Sequence, residues 1–181
     1  MQKLLYFSLI ITLFSCSGQR QNTKELAGEI LADESIKEVD RMARELIKQG
    51  FDAGSGYQMV WARDLNTFIE LSCEEYDVDV IRENLLMFLH FQRRNGELLD
   101  GYVPKEAFSW NDPNPYYSQT APGHVGFRNT FETDQETSFI QAIGKYISKT
   151  GDRSILNEPV ADPLKTILVK IQTDARITKY I

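Results

Sequence analysis

The chain has 181 residues, 42% of them hydrophobic, with a formal net charge of -6. That length and apolar content suit one domain with a real core. The charge, without any basic cluster, excludes a nucleic-acid partner, because phosphate recognition needs concentrated Lys and Arg. The two cysteines leave no internal disulfide framework if Cys16 is modified, and Cys73 is then expected simply to pack.

In chain order, residues 1–15 read as a signal peptide: Lys3 supplies a positive charge, Leu4 to Phe14 is an almost unbroken apolar run, and Cys16 follows at once. The run is too short to span a membrane. Leu13-Phe14-Ser15-Cys16 resembles a bacterial lipobox, which implies that Cys16 carries a lipid, that residues 16–23 form a tether, and that the protein is exported and held on a membrane. An ordinary secretory signal with an incidental cysteine is the alternative.

Residues 24–181 are the folded part, and their apolar periodicity predicts helices. Leu26, Ile30, Leu31, Ile36, Val39, Met42, Ala43, Leu46 and Ile47 recur at three- and four-residue spacing before Gly50, which gives a first helix. After the turn Asp52-Ala53-Gly54-Ser55-Gly56, a second helix begins near Asp64 and reaches Tyr76. A third is capped by Asp77 or Asp79 and ends near Asn95-Gly96. From Gly96 to Thr133 the pattern breaks into an interval rich in Gly, Pro and aromatic residues. It is too aromatic for disorder and too long for an idle connection. Thr133-Asp134-Gln135-Glu136 then fits a capping box opening a fourth helix that closes at Thr150-Gly151, with Thr133 and Glu136 satisfying each other's amides. A fifth helix covers about Leu164 to Gln172. No repeat or metal-ligand spacing is present, and neither a metal nor a cofactor is expected.

Successive antiparallel helices alternate direction, so the second and fourth run parallel and their leading loops meet at one end. One loop brings Tyr57, Trp61, Arg63 and Asp64. The other brings the aromatic interval with Trp110, then His124, Arg128, Glu132, Asp134 and Glu136. An arginine fork and aspartate acceptors suit the vicinal hydroxyls of a sugar. Two other readings of these residues stand beside it: Arg63 and Asp64 as an ion pair capping the second helix, with Trp61 in the core, and Glu136 as the cap of the fourth. His124, a lone loop histidine, is read as a surface or hydrogen-bonding residue.

Tyr57-Gln58-Met59-Val60-Trp61-Ala62-Arg63-Asp64, followed by an apolar helix and later by Thr133-Asp134-Gln135-Glu136-Thr137-Ser138-Phe139-Ile140, resembles the six-hairpin glycosidases. This superfamily includes glucoamylases, trehalases and related α-glucosidases and α-mannosidases. The resemblance covers roughly Ala27 to Leu156. It implies an all-α fold, the N-terminal part of an (α/α)6 toroid built of antiparallel hairpins, with a carbohydrate substrate bound at the N-terminal ends of the inner helices. Trp61, Arg63, Asp64, Asp134, Trp110 and Tyr57 are the expected substrate-binding residues, and the expected activity is hydrolysis of α-linked oligosaccharides. Asp134, at a helix N-terminus, suits an ionised sugar- or water-binding role better than that of a general acid. Twelve helices need roughly twice this chain. The resemblance puts the catalytic acid and base on later loops, so they stay unassigned and the missing half of the barrel becomes an expected partner. A non-catalytic carbohydrate-binding lipoprotein and a helical protein-binding module are the alternatives.

Overall fold

The computed structural model describes residues 23–51, 59–108, 115–128 and 133–174. Helices dominate these residues, as the periodicity predicts. Cys16, Tyr57, Trp110, the expected signal peptide and the glycine-rich turn lie outside the described residues. The chain divides into two compact units at residues 45 and 46.

In the first unit the expected single helix is two: α1, over residues 23–32, and α2, Glu34–Ile47, whose last turn crosses the division. Asp33 makes the break. Its carboxylate accepts the backbone N–H of Ser35 at 2.9 Å and the Ser35 hydroxyl at 2.6 Å, starting a new helix instead of continuing the old one. Along α2, Lys37 pairs with Glu34, Arg41 with Glu38 and Glu45, and Arg44 with Asp40, all at helical spacing. Most of the apolar residues whose spacing predicts these helices, among them Leu31, Val39 and Met42, are exposed, whereas Ile47 at the end of α2 is buried.

The second unit holds α3 (Ala62–Glu75), α4 (Val78–His90), α5 (Gln135–Thr150) and α6 (Glu158–Thr173). Each buries one stripe. Ala62, Leu65, Ile69 and Ser72 do so on α3, Ile81, Leu85 and Phe88 on α4, and Phe139, Ala142, Ile143 and Tyr146 on α5. These stripes meet in one continuous core that Leu164 and Ile167 of α6 complete. Gly151, at φ 75°, closes α5 in the left-handed conformation that a side chain disfavours. Pro163 lies inside α6, and its carbonyl accepts the Gln92 side-chain amide at 3.0 Å. The α4 helix stops at His90, earlier than expected; the turn at Gly96 comes afterwards, where a Cβ would lie 2.6 Å from the Thr166 carbonyl oxygen.

The interval read as an aromatic loop contains strands. Four short strands, β1 (Val60–Trp61), β2 (Gly101–Pro104), β3 (Pro115–Tyr116) and β4 (His124–Phe127), form an antiparallel sheet in the order β1-β2-β4-β3. Val60 faces Tyr102, Trp61 faces Gly101, and Gly101 faces Phe127. The alternation gives the sheet two apolar faces. Tyr102 and Tyr116 join the helical core, while Val103, Val125 and Phe127 build a second cluster with Phe108 and Met59. Gly101 allows the close approach of β1, since a Cβ there would lie 2.7 Å from the Val60 carbonyl oxygen and 3.4 Å from the Trp61 ring.

Candidate functional site at the paired helix ends

The relative direction of α3 and α5 follows from their side-chain contacts. Arg63 lies 3.4 Å from Asp134, the Asn66 amide donates to Gln141 at 3.1 Å, Lys145 donates to the Asn66 carbonyl at 2.6 Å, and Lys149 pairs with Glu74. Both residue numbers rise together along the pair. The helices are therefore parallel neighbours whose N-terminal ends lie side by side, the arrangement expected from counting helix directions.

At that end the sheet and the helices are joined by a short chain of bonds. Trp61 ends β1 with extended dihedrals (φ -97°, ψ 136°), and the first amide of α3, that of Ala62, donates to the Asp100 carbonyl at 2.7 Å. The Asp100 amide donates to the Phe127 carbonyl at 2.8 Å. Two residues earlier, Leu98 is gripped by side chains: its N–H donates to Glu136 Oε1 at 3.1 Å, and its carbonyl accepts from the Arg128 guanidinium. Arg128 and Glu136 pair with each other at 3.1 Å, and their side chains are only 6% and 1% exposed. This buried ion pair serves the Leu98 backbone as a neighbouring strand would, satisfying both its donor and its acceptor.

This geometry replaces the expected capping box. Asp134, not Thr133, is the N-cap residue of α5, and it makes no side-chain cap bond. Glu136 turns away from its own helix end to Leu98 and Arg128, while the Thr137 hydroxyl bonds the Asp134 carbonyl at 2.9 Å. The signature Thr-x-x-Glu is present, but a buried guanidinium and a backbone amide outcompete the cap.

Of the expected site residues, Arg63 and Asp134 are brought together, each about half exposed at the shared helix end. Asp64 is half-buried in the first turn of α3, and among the described residues its carboxylate has no hydrogen-bond or ion-pair partner. Arg63 and Asp64 are thus not the ion pair considered from sequence. Trp61 is half-buried and lies in register with Gly101 and Phe127. His124 is in β4, edge-on to Tyr102 with ring centroids 5.7 Å apart. Cys73 packs against the helical core, where burial raises its thiol pKa.

Sequence reasoning passed over Asp100, a buried acid beside the α3 N-terminus. The only signal was an aspartate between Leu98-Leu99 and a glycine that a strand needs. Among the described residues no group of three His, Cys, Asp or Glu side chains is placed to hold a metal ion, and no helix is long and apolar enough to cross a membrane.

The site as it stands offers one guanidinium and two carboxylates reachable from solvent, set at two parallel helix ends. Such a set can exchange hydrogen bonds with a neutral, hydroxyl-rich molecule through charged donors and acceptors. No family model matches the chain, and no curated protein or solved structure matches it.

Proposed function

We propose that the chain is a glycoside hydrolase-like, carbohydrate-binding protein built as the first part of an (α/α)6 toroid. It acts on α-linked oligosaccharides and is exported and tethered through a lipid on Cys16. The observation that carries the reading is the Arg63–Asp134 pair at the common N-terminal end of parallel α3 and α5, with the Asp64 carboxylate, which has no partner among the described residues, one residue from Arg63. In this proposal Arg63 donates to one sugar hydroxyl, while Asp64 and Asp134 accept from its neighbours. Both acids are assigned to binding and orienting the sugar, not to protonating the leaving group. The catalytic acid and base of the resembled family belong to later inner-helix loops.

The test uses the full-length protein and a maltooligosaccharide. Asp64→Asn keeps the side-chain shape and removes a charge-assisted acceptor. The expected result is at least a tenfold loss in affinity or in kcat/KM, about 1.4 kcal/mol, with circular dichroism and melting unchanged. Saturable binding without turnover would move the assignment to a non-catalytic sugar-binding lipoprotein. If Asp64→Asn lowers only thermal stability and leaves sugar affinity intact, or no sugar binds, the carbohydrate reading is lost.

A further inference from the structure

A cleft of about 410 Å³ opens on the Tyr102 face of the sheet, built from residues to which the sugar reading assigns nothing. Val60, Tyr102 and Pro104 share one strand face by register, and Phe51 and Ala107 add apolar wall. Among the described residues, the polar side chains that enter it beside Tyr102 are Asn84 from α4 and His124 from β4. Both flank Tyr102, whose hydroxyl bonds Asn84 Oδ1 at 2.6 Å and whose ring meets the His124 ring edge-on.

The hydrogen-bond inventory of these two side chains defines what the cleft accepts. The Asn84 amide oxygen is taken by Tyr102, and one amide hydrogen goes to the Val80 carbonyl at 2.8 Å. An Asn side chain has two such hydrogens, so one remains. Neither ring nitrogen of His124 has a partner among the described residues. The neutral ring offers one acceptor and one donor. Among the described residues no charged side chain lines the cleft, and a neutral ligand suits these walls better than an ionised one. A size of this order falls in the range of small-molecule sites, whose walls are mainly apolar with a few placed polar groups.

We propose that this cleft is a second binding site, separate from the helix-end site, and that it takes a neutral aromatic molecule bearing a hydroxyl group, a phenol-class ligand. The ring packs between Phe51 and Tyr102, and the hydroxyl donates to His124 and accepts from the spare Asn84 hydrogen. A bare sugar fits worse. It carries hydroxyls around its whole rim, and those turned to Val60, Pro104 and Ala107 would lose water without replacement.

The chain has two histidines, and the other, His90, already bonds the Thr120 hydroxyl at 3.0 Å, so their ring proton resonances report the cleft against an internal reference. The full-length protein is titrated with p-cresol and, separately, with methyl α-glucoside. The expected result is a saturable shift of the His124 signal with p-cresol, little change at His90, and no saturation with the glucoside. Ala107→Trp, which fills the cleft from a half-buried position, should weaken p-cresol at least tenfold while the circular dichroism spectrum is kept. His124→Asn, which deletes the reporter and is therefore read from the broadening of the p-cresol ring protons, should also weaken it, and provides a second variant should Ala107→Trp not fold. A shift that rises linearly without saturating, equal shifts at both histidines, undiminished p-cresol affinity in whichever of the two variants folds, or preferential saturation by the glucoside would each overturn the proposal.

Discussion

Glu136→Gln tests the ion pair that grips Leu98 most directly, because glutamine keeps an oxygen for the Leu98 N–H and deletes only the charge. The wild-type pair is almost wholly desolvated, with side-chain exposures of 6% for Arg128 and 1% for Glu136, so solvent screening does not shrink the effect. Removing one partner of such a pair leaves the other charge buried and uncompensated, at a cost of about 3–5 kcal/mol. For a chain of this size, each kcal/mol is worth about 2–4 °C in Tm, giving a fall of about 6–20 °C. The assay is thermal and urea unfolding followed by circular dichroism at a helical wavelength. Deleting both charges is more diagnostic still. Buried pairs commonly tolerate joint replacement by apolar residues, but Glu136→Leu with Arg128→Met would also strand the Leu98 N–H and carbonyl, each costing about 1–3 kcal/mol. The double variant should therefore stay destabilised by about 2–6 kcal/mol. Recovery of wild-type stability in that variant, or a loss below about 1 kcal/mol in Glu136→Gln, would refute the view that the pair substitutes for a strand.

Gly126 should tolerate no side chain, because a Cβ there would run into the buried Leu99 side chain and lie 3.2 Å from the Phe91 ring; Gly126→Ala is expected to cost about 1–3 kcal/mol in a urea titration. The Asp152 carboxyl is held below its usual pKa by the Ser154 and Tyr146 hydroxyls. Its contribution to stability is therefore complete above the ordinary carboxylate range and is lost as pH falls through the depressed folded value. Asp152→Asn should flatten the acid limb of the urea midpoint against pH below about pH 4. Cys16→Ala should abolish metabolic lipid labelling and release the protein from membranes, and unchanged membrane association of the variant would defeat the anchoring proposal.

What could be read from the chain alone follows the range of the forces involved. Helices α3, α4 and α5 were legible because each buries a stripe whose spacing is local, and Gly151 marks an end that only a left-handed residue makes easily. The meeting of Arg63 with Asp134 was legible too, since it follows from counting helix directions. The sheet was not. Strands of two to four residues, punctuated by proline and glycine, fall short of the alternation that identifies a strand. Glu136 misled for a related reason: the capping box is a local signature, and the partners that displaced it, Leu98 and Arg128, are distant in sequence. The break at Asp33 was open to local reading, because Asp33-Glu34-Ser35 offers an acceptor two residues ahead of a donor, but the continuous apolar spacing obscured it.

The parallel pairing of α3 with α5 also bears on how the second unit assembles. Parallel neighbours cannot be joined by a tight turn, and the bonds between these two helices link residues 75 and 79 positions apart. Everything between them, including α4 and three of the four strands, has to be looped out before the first of these contacts forms. The entropy of that closure is spent before the contacts repay it, which favours slow, cooperative folding over stepwise addition of hairpins. The first amide of α3 is bound to Asp100, and Leu98 to the first turn of α5. The helix ends and the sheet should therefore gain protection from hydrogen exchange together, so that a partly folded chain would lack the paired helix ends altogether.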